Sequence, residues 1–142
     1  PAETQVPQYH LVWHDGSEWH ASQISHRTTP FTLRGGGTKR IPISRPKLAV
    51  DARDRVSLLF RDEERGNRLS MAVCEDPRRQ SWRTIDLTLD DIGFCEPTYD
   101  GSLWRRDGVL HVFVQRAGQG DAETLEDLPP QPVRIVEWKP DP

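Results

Sequence analysis

Three stretches of the 142-residue chain hold side chains able to act on an ionic or hydroxylated ligand. Arg34, Lys39, Arg40 and Arg45 surround a Gly35-Gly36-Gly37 run, Arg61-Asp62-Glu63-Glu64-Arg65-Gly66-Asn67 forms a second group, and Glu96 lies close to Tyr99. A guanidinium is a planar fork of N–H donors that meets a carboxylate or sulfate with two bonds at once, so arginines at this density suit an anion. Asn67 and Gln115 can bond sugar hydroxyls and serve equally well as turn and strand-end hydrogen bonders. The competing reading is structural, with solvated turns or with Arg45 and Arg61 paired to Glu96 and Asp62.

Other chemistries close quickly. The glycine run is not a phosphate loop, because no Gly-Lys-Ser/Thr follows it and no helical pattern begins after it. His10, His14 and His20 could approach one another across a hairpin, but strand alternation sends them to edge or unhelpful faces, so no metal site is expected. Cys74 and Cys95 lack the spacing of a zinc site and read as buried thiols. No cofactor is expected.

The elements that must carry these residues are strands. With 19 Lys+Arg against 22 Asp+Glu the net charge is −3, which argues against a nucleic-acid binder advertised by bulk charge. No apolar run approaches the roughly 18 residues of a membrane helix. Twelve Pro, ten Gly and five Trp point to short strands joined by turns, hence an all-β protein. The chain opens at Pro1 with neither an initiator Met nor a signal-peptide pattern, which reads as a mature product or an excised piece.

Residues 9–13 and 19–24 flank an Asp15-Gly16 turn and predict a hairpin. Residues 47–50, 56–60, 68–73 and 82–87 predict a four-stranded meander. Helical spacing is brief at best, around 87–92 and 122–128, and residues 26–44 read as one long loop. A repeat of about fifty residues links Arg45-Pro46, Arg53-Asp54-Arg55-Val56 and Phe60 to Glu96-Pro97, Arg106-Asp107-Gly108-Val109 and Phe113. That period suits a four-stranded propeller blade, and it divides the chain into the end of one blade (9–25), a full blade (46–88) and a last blade (96–139). Two to three blades make a partial propeller, whose open edges invite the remaining blades of a longer chain or self-association. The echo of Asp15-Gly-Ser-Glu-Trp19 in Asp100-Gly-Ser-Leu-Trp104 reads as a shared turn. Asp15…Trp19 and Asp76…Trp82 read as turn locks, with Asp accepting local N–H bonds and Trp packing between sheets.

The order of these segments resembles the C-terminal part of the BNR-repeat propeller family, which includes ulvan lyases and related polysaccharide-degrading proteins. The matching stretches are Trp13-His-Asp-Gly-Ser-Glu-Trp19, Gly35-Gly-Gly-Thr-Lys-Arg-Ile-Pro-Ile-Ser-Arg-Pro46, Leu59-Phe-Arg-Asp62, Gly66-Asn-Arg-Leu-Ser70, Glu96-Pro-Thr-Tyr-Asp100 and Val112-Phe-Val-Gln115. Blade geometry of that kind implies one mouth holding Arg45, Glu96, the 26–44 loop and Arg61, Asp62, Arg65 and Asn67, with Gln115 and Arg116 from the last blade. An anionic polysaccharide is then the expected ligand.

A lyase of this type performs β-elimination at a uronate, using a base, a cation on the carboxylate and an acid for the leaving oxygen. Tyr99 and His26 are the catalytic candidates within this chain. The histidines that do this work in the ulvan lyases lie on earlier blades, so the resemblance implies that this piece binds substrate and is inactive alone. Sialidase-like hydrolysis, with Glu96 and Asp62 as the carboxylate pair, and a non-catalytic glycan-binding propeller are the alternatives. The substrate class implies an extracellular or periplasmic protein, where a bridge between Cys74 and Cys95 is possible.

Overall fold

In the computed structural model, which describes residues 6–120 and 126–141, three antiparallel sheets succeed one another along the chain. β1 (His10–His14) and β2 (Trp19–Gln23) form a hairpin. β3 (Lys47–Val50), β4 (Val56–Asp62), β5 (Arg68–Cys74) and β6 (Arg83–Asp86) pair in sequence order as a four-stranded meander. β7 (Thr98–Tyr99), β8 (Leu110–Val114) and β9 (Arg134–Trp138) make a three-stranded sheet. The all-β class and the meander are as the pattern of apolar runs and turn clusters predicts.

β4 is buried along its whole length, which requires a cover on each face of its sheet. Leu58 and Phe60, with Ala72 beside them, pack against Tyr9 and Ile24 near the first hairpin. Leu59, with Leu69, Met71 and Val73, packs against Leu110, Val112 and Val114 of β8. The central sheet is therefore the filling between the other two. Strand alternation carries a consequence for its end: Arg61 goes to the face of the last sheet and Asp62 to the face of the first.

The last sheet repeats the central one in a register one residue away from that read in the sequence. Asp54 and Gly108 both take left-handed backbone, at φ 63° and 65°, two residues before the first residue of their strands. Val56, Leu58 and Phe60 then correspond to Leu110, Val112 and Val114; Leu58 and Phe60 pack towards the first hairpin, and Leu110, Val112 and Val114 against the central sheet. In this register Phe113 is the equivalent of Leu59. Leu59 is fully buried, whereas Phe113 is 37% exposed beside its cross-strand partner Ile135. At the opposite end of the stack Val12 and Trp19 are uncovered, the latter at 73%.

The shift arises from a helix where the sequence suggests a turn. Asp100 caps α1 (Gly101–Asp107) by accepting from the backbone N–H groups of Ser102 (2.8 Å) and Leu103 (3.0 Å), and Gly108 ends it. Trp104 is buried in the core and its indole N–H donates to the Val50 carbonyl (3.1 Å), while the Tyr99 hydroxyl donates to the Leu48 carbonyl (2.7 Å). These two carbonyls point away from β4, so the pair of aromatics caps the open edge of β3. Residues 87–92 form no helix, nor do 126–128, and 121–125 fall outside the described residues.

The two Asp turns behave unequally. Asp15 accepts from the Ser17 and Glu18 backbones, and Asp76 from those of Arg78 and Gln80. Trp82 packs as expected, donating to Ser22 Oγ of the first sheet (3.2 Å), but Trp19 lies in solvent rather than between sheets.

Candidate functional site

Arg45 and Glu96 stand one residue before the prolines that lead into β3 and β7, so the repeat gives them equivalent positions at the starts of consecutive first strands. They meet: the Arg45 backbone N–H donates to Glu96 Oε2 at 2.8 Å, with its Nε 3.6 Å from the same oxygen. This is the pairing the structural reading expects for Arg45, while Arg61 does not pair with Asp62; the Arg45 side chain is nonetheless 87% exposed, so its fork remains open to a ligand. Around this contact opens a cleft of about 640 Å³. Lys39, Arg45, Arg61 and Glu96 supply its charge, and Tyr9, Phe31, Leu33 and Phe94 its apolar wall.

Arg61 forms the floor. Its guanidinium donates to the carbonyls of Cys95 (3.3 Å), Pro42 (3.3 Å) and Ile41 (3.1 Å) and to Asn67 Oδ1 (2.9 Å), and it lies over the Phe94 ring at 5.1 Å. Among the described residues no carboxylate lies in ion-pair contact with it. Burial accordingly pushes its pKa below the ordinary guanidinium value, against the longer-range pull of Glu96. Tyr9, on the same wall, donates its hydroxyl to the Ser44 carbonyl at 2.5 Å, and burial drives its pKa far upward. It is a neutral donor, not a base.

Of the residues singled out in the sequence, Lys39, Arg45, Arg61 and Glu96 come together here, while Asp62, Arg65, Asn67 and Gln115 do not line the cleft. Asp62 is buried on the opposite face of β4, ion-paired to Arg27 and accepting from the Glu64 backbone N–H. Arg65 reaches Asp86 (2.6 Å) and Ser70 Oγ (3.1 Å). Burial alone would raise the Asp86 pKa, but bonds from Arg65, Ser70 and Arg68 outweigh it and hold the carboxyl below its ordinary value. Asn67 serves Arg61, and Gln115 donates to the Gln131 carbonyl at 3.1 Å. The family-like blade geometry grouped these residues at one mouth, whereas alternation and local turns divide them.

The two catalytic candidates are also apart from the cleft. His26 is exposed, its Nδ1 3.4 Å from the Gln23 amide nitrogen. Tyr99 caps β3, and burial raises its pKa. Tyr99→Phe is expected to lower stability by about 1 kcal/mol, the worth of one hydrogen bond, and to leave ligand affinity unchanged. Chemical denaturation alongside a binding titration checks this; a loss of affinity at unchanged stability would return Tyr99 to the site.

Cys74 and Cys95 are free and buried. On the exposed hairpin turn, Asp15, Glu18 and His20 bring potential ligand atoms within 4.8 Å of one another, but Asp15 already accepts from Ser17 and Glu18 and contacts His20 at 2.7 Å. The wall residues Tyr9, Phe31 and Phe94 carry no ionisable motif; Phe31 alone lies in the basic 26–44 loop, and Tyr9 and Phe94 join it through the packing of distant segments. Compared with known proteins, the chain matches no family model and no curated protein.

Proposed function

We propose that this chain is the substrate-binding portion of a carbohydrate-active propeller of the BNR-repeat type, acting on an acidic polysaccharide. One observation carries the reading. The repeat-equivalent residues Arg45 and Glu96 meet at a cleft whose rim is cationic and whose wall is aromatic and aliphatic. Arg45 and Lys39 would take the carboxylate or sulfate of a sugar, the rings of Phe31 and Phe94 its apolar face, and Glu96 a hydroxyl. The uncovered Phe113 and Ile135 face, with Val12 and Trp19 at the other end, suits cover by further blades.

For the whole protein the reaction that fits is β-elimination at a uronate, with Arg45 neutralising the carboxylate as the proton beside it is removed. The base would come from outside the residues that line this cleft, since Tyr9 is held neutral by burial and Tyr99 and His26 stand elsewhere. That same observation favours, as second reading, a glycan-binding propeller without catalysis. The hydrolase scheme is less well supported, because Asp62 is occupied by Arg27. A polymer substrate of this kind places the proposed site of action outside the cytoplasm.

The test is calorimetric titration with oligoglucuronate. Replacing Lys39 and Arg45 together by Ala is expected to weaken binding by about 10- to 100-fold, as the loss of one to two charge-assisted contacts requires. Both are surface cations at the cleft rim, so the denaturation midpoint should not move. No binding by the parent protein at millimolar sugar would sink the reading. Where binding is found, ultraviolet absorbance from an unsaturated product separates a lyase from a binder.

A further inference from the structure

We propose that residues 30–39 form a lid that folds over the cleft around a bound anion, with Phe31, Leu33 and Lys39 as its closing wall; this rests on the reading of the cleft as an anion site. Both ends of the segment are fastened to one turn, residues 61–64. At the first end Arg27 pairs with Asp62, and the Glu64 carboxylate accepts from the backbone N–H groups of Thr28 (3.0 Å) and Thr29 (2.6 Å). At the second end Ser44 N–H donates to the Arg61 carbonyl (3.0 Å), Glu63 N–H to the Pro42 carbonyl (2.9 Å), and the Arg61 guanidinium to Ile41. A loop whose two feet share one rigid support can swing without disturbing the sheets.

Between the feet the tethers thin out, to one ring contact of Phe31 with the Arg27 guanidinium at 5.5 Å and little else. From Pro30 to Lys39 the hydrogen bond that remains among the described residues is Arg34 N–H to Thr32 Oγ1 (3.1 Å), internal to the segment. Arg40, next in sequence, lies over the Phe94 ring at 4.7 Å and marks where the fixed part resumes. Gly35 and Gly37 take φ of 92° and 82°, backbone that side-chain-bearing residues rarely adopt, and Gly36 has open space around it. Leu33 faces the cleft yet is 59% exposed, apolar surface that closure would remove from water. Lys39 supplies the attraction that an anion would exert on the segment.

Hydrogen exchange read by mass spectrometry on the full chain tests the lid, free and with oligoglucuronate at a concentration shown by calorimetry to saturate the same sample. In the free protein the amides of 31–39 should exchange about tenfold or more faster than the Ser44 amide, which is bonded to the Arg61 carbonyl. At saturation they should slow by about the same factor, while the Ser44 amide changes little. Exchange of 31–39 as slow as that of Ser44 in the free protein overturns the lid, and so does unchanged exchange at saturation. Absence of calorimetric binding is a different failure. It removes the anion reading, and the free-state contrast then decides the lid alone.

Discussion

Asp62→Ala should lower the stability of the chain by about 3–5 kcal/mol, because it leaves the buried Arg27 guanidinium without its counter-ion. Glu64, at 3.7 Å from Arg27, replaces only part of the lost partner, because its carboxylate already accepts from the Thr28 and Thr29 backbone N–H groups. The same substitution removes the cap on the turn at Glu63–Arg65, where Asp62 accepts from the Glu64 backbone N–H at 2.8 Å. Asn in place of Asp keeps the cap and removes the charge, so it apportions the two contributions. A double-mutant cycle with Arg27→Met, measured by urea denaturation, should show a coupling of more than about 1 kcal/mol. Asp62→Ala at a cost below about 1 kcal/mol would show that the pair does not hold the first hairpin to the central sheet.

Arg61→Met is expected to cost about 3 kcal/mol. The replacement fills much of the same volume, but the carbonyls of Ile41, Pro42 and Cys95 and the side chain of Asn67 lose their common donor. Relief of the buried charge offsets part of this, and the exposed rim lets water reach some of the orphaned carbonyls. With a urea m-value near 2 kcal/mol/M, the midpoint should fall by about 1.5 M. Arg61→Lys should recover only a minority of the loss, since one ammonium cannot span three segments that a guanidinium fork joins. A midpoint shift below about 0.3 M would mean that these bonds are not holding the loops, and that the Arg61 donors are free for a ligand instead.

Both residues were visible in the sequence as charges in a turn, and both have a different role in the fold. Arg61 and Asp62 are adjacent, which on a strand means opposite faces: one reaches Cys95 and Phe94 beside the last sheet, the other Arg27 beside the first. Spacing along the chain cannot tell which face is the cleft. Arg45 and Glu96 were legible for the converse reason. The repeat assigns them equivalent places, and equivalent places in successive blades converge on one axis. Tyr99 had the right chemistry for a base, but a carbonyl on the open edge of β3 claims its hydroxyl.

The amino-acid sequence by itself determined the strands of the hairpin and of the central meander, because two-residue alternation and Asp-, Gly- and Pro-containing turns are local signals. It also determined the all-β class and the presence of the repeat, though its register was off by one residue. Only the tertiary structure decided that the central sheet is covered on both faces, that α1 replaces a turn, and that Tyr9, Phe31 and Phe94 share a wall with Lys39 and Arg45. α1 depends on burying Trp104 against the core, and the cleft on how three sheets stack. Each is a sum of contacts between residues far apart in the chain, which no local pattern records.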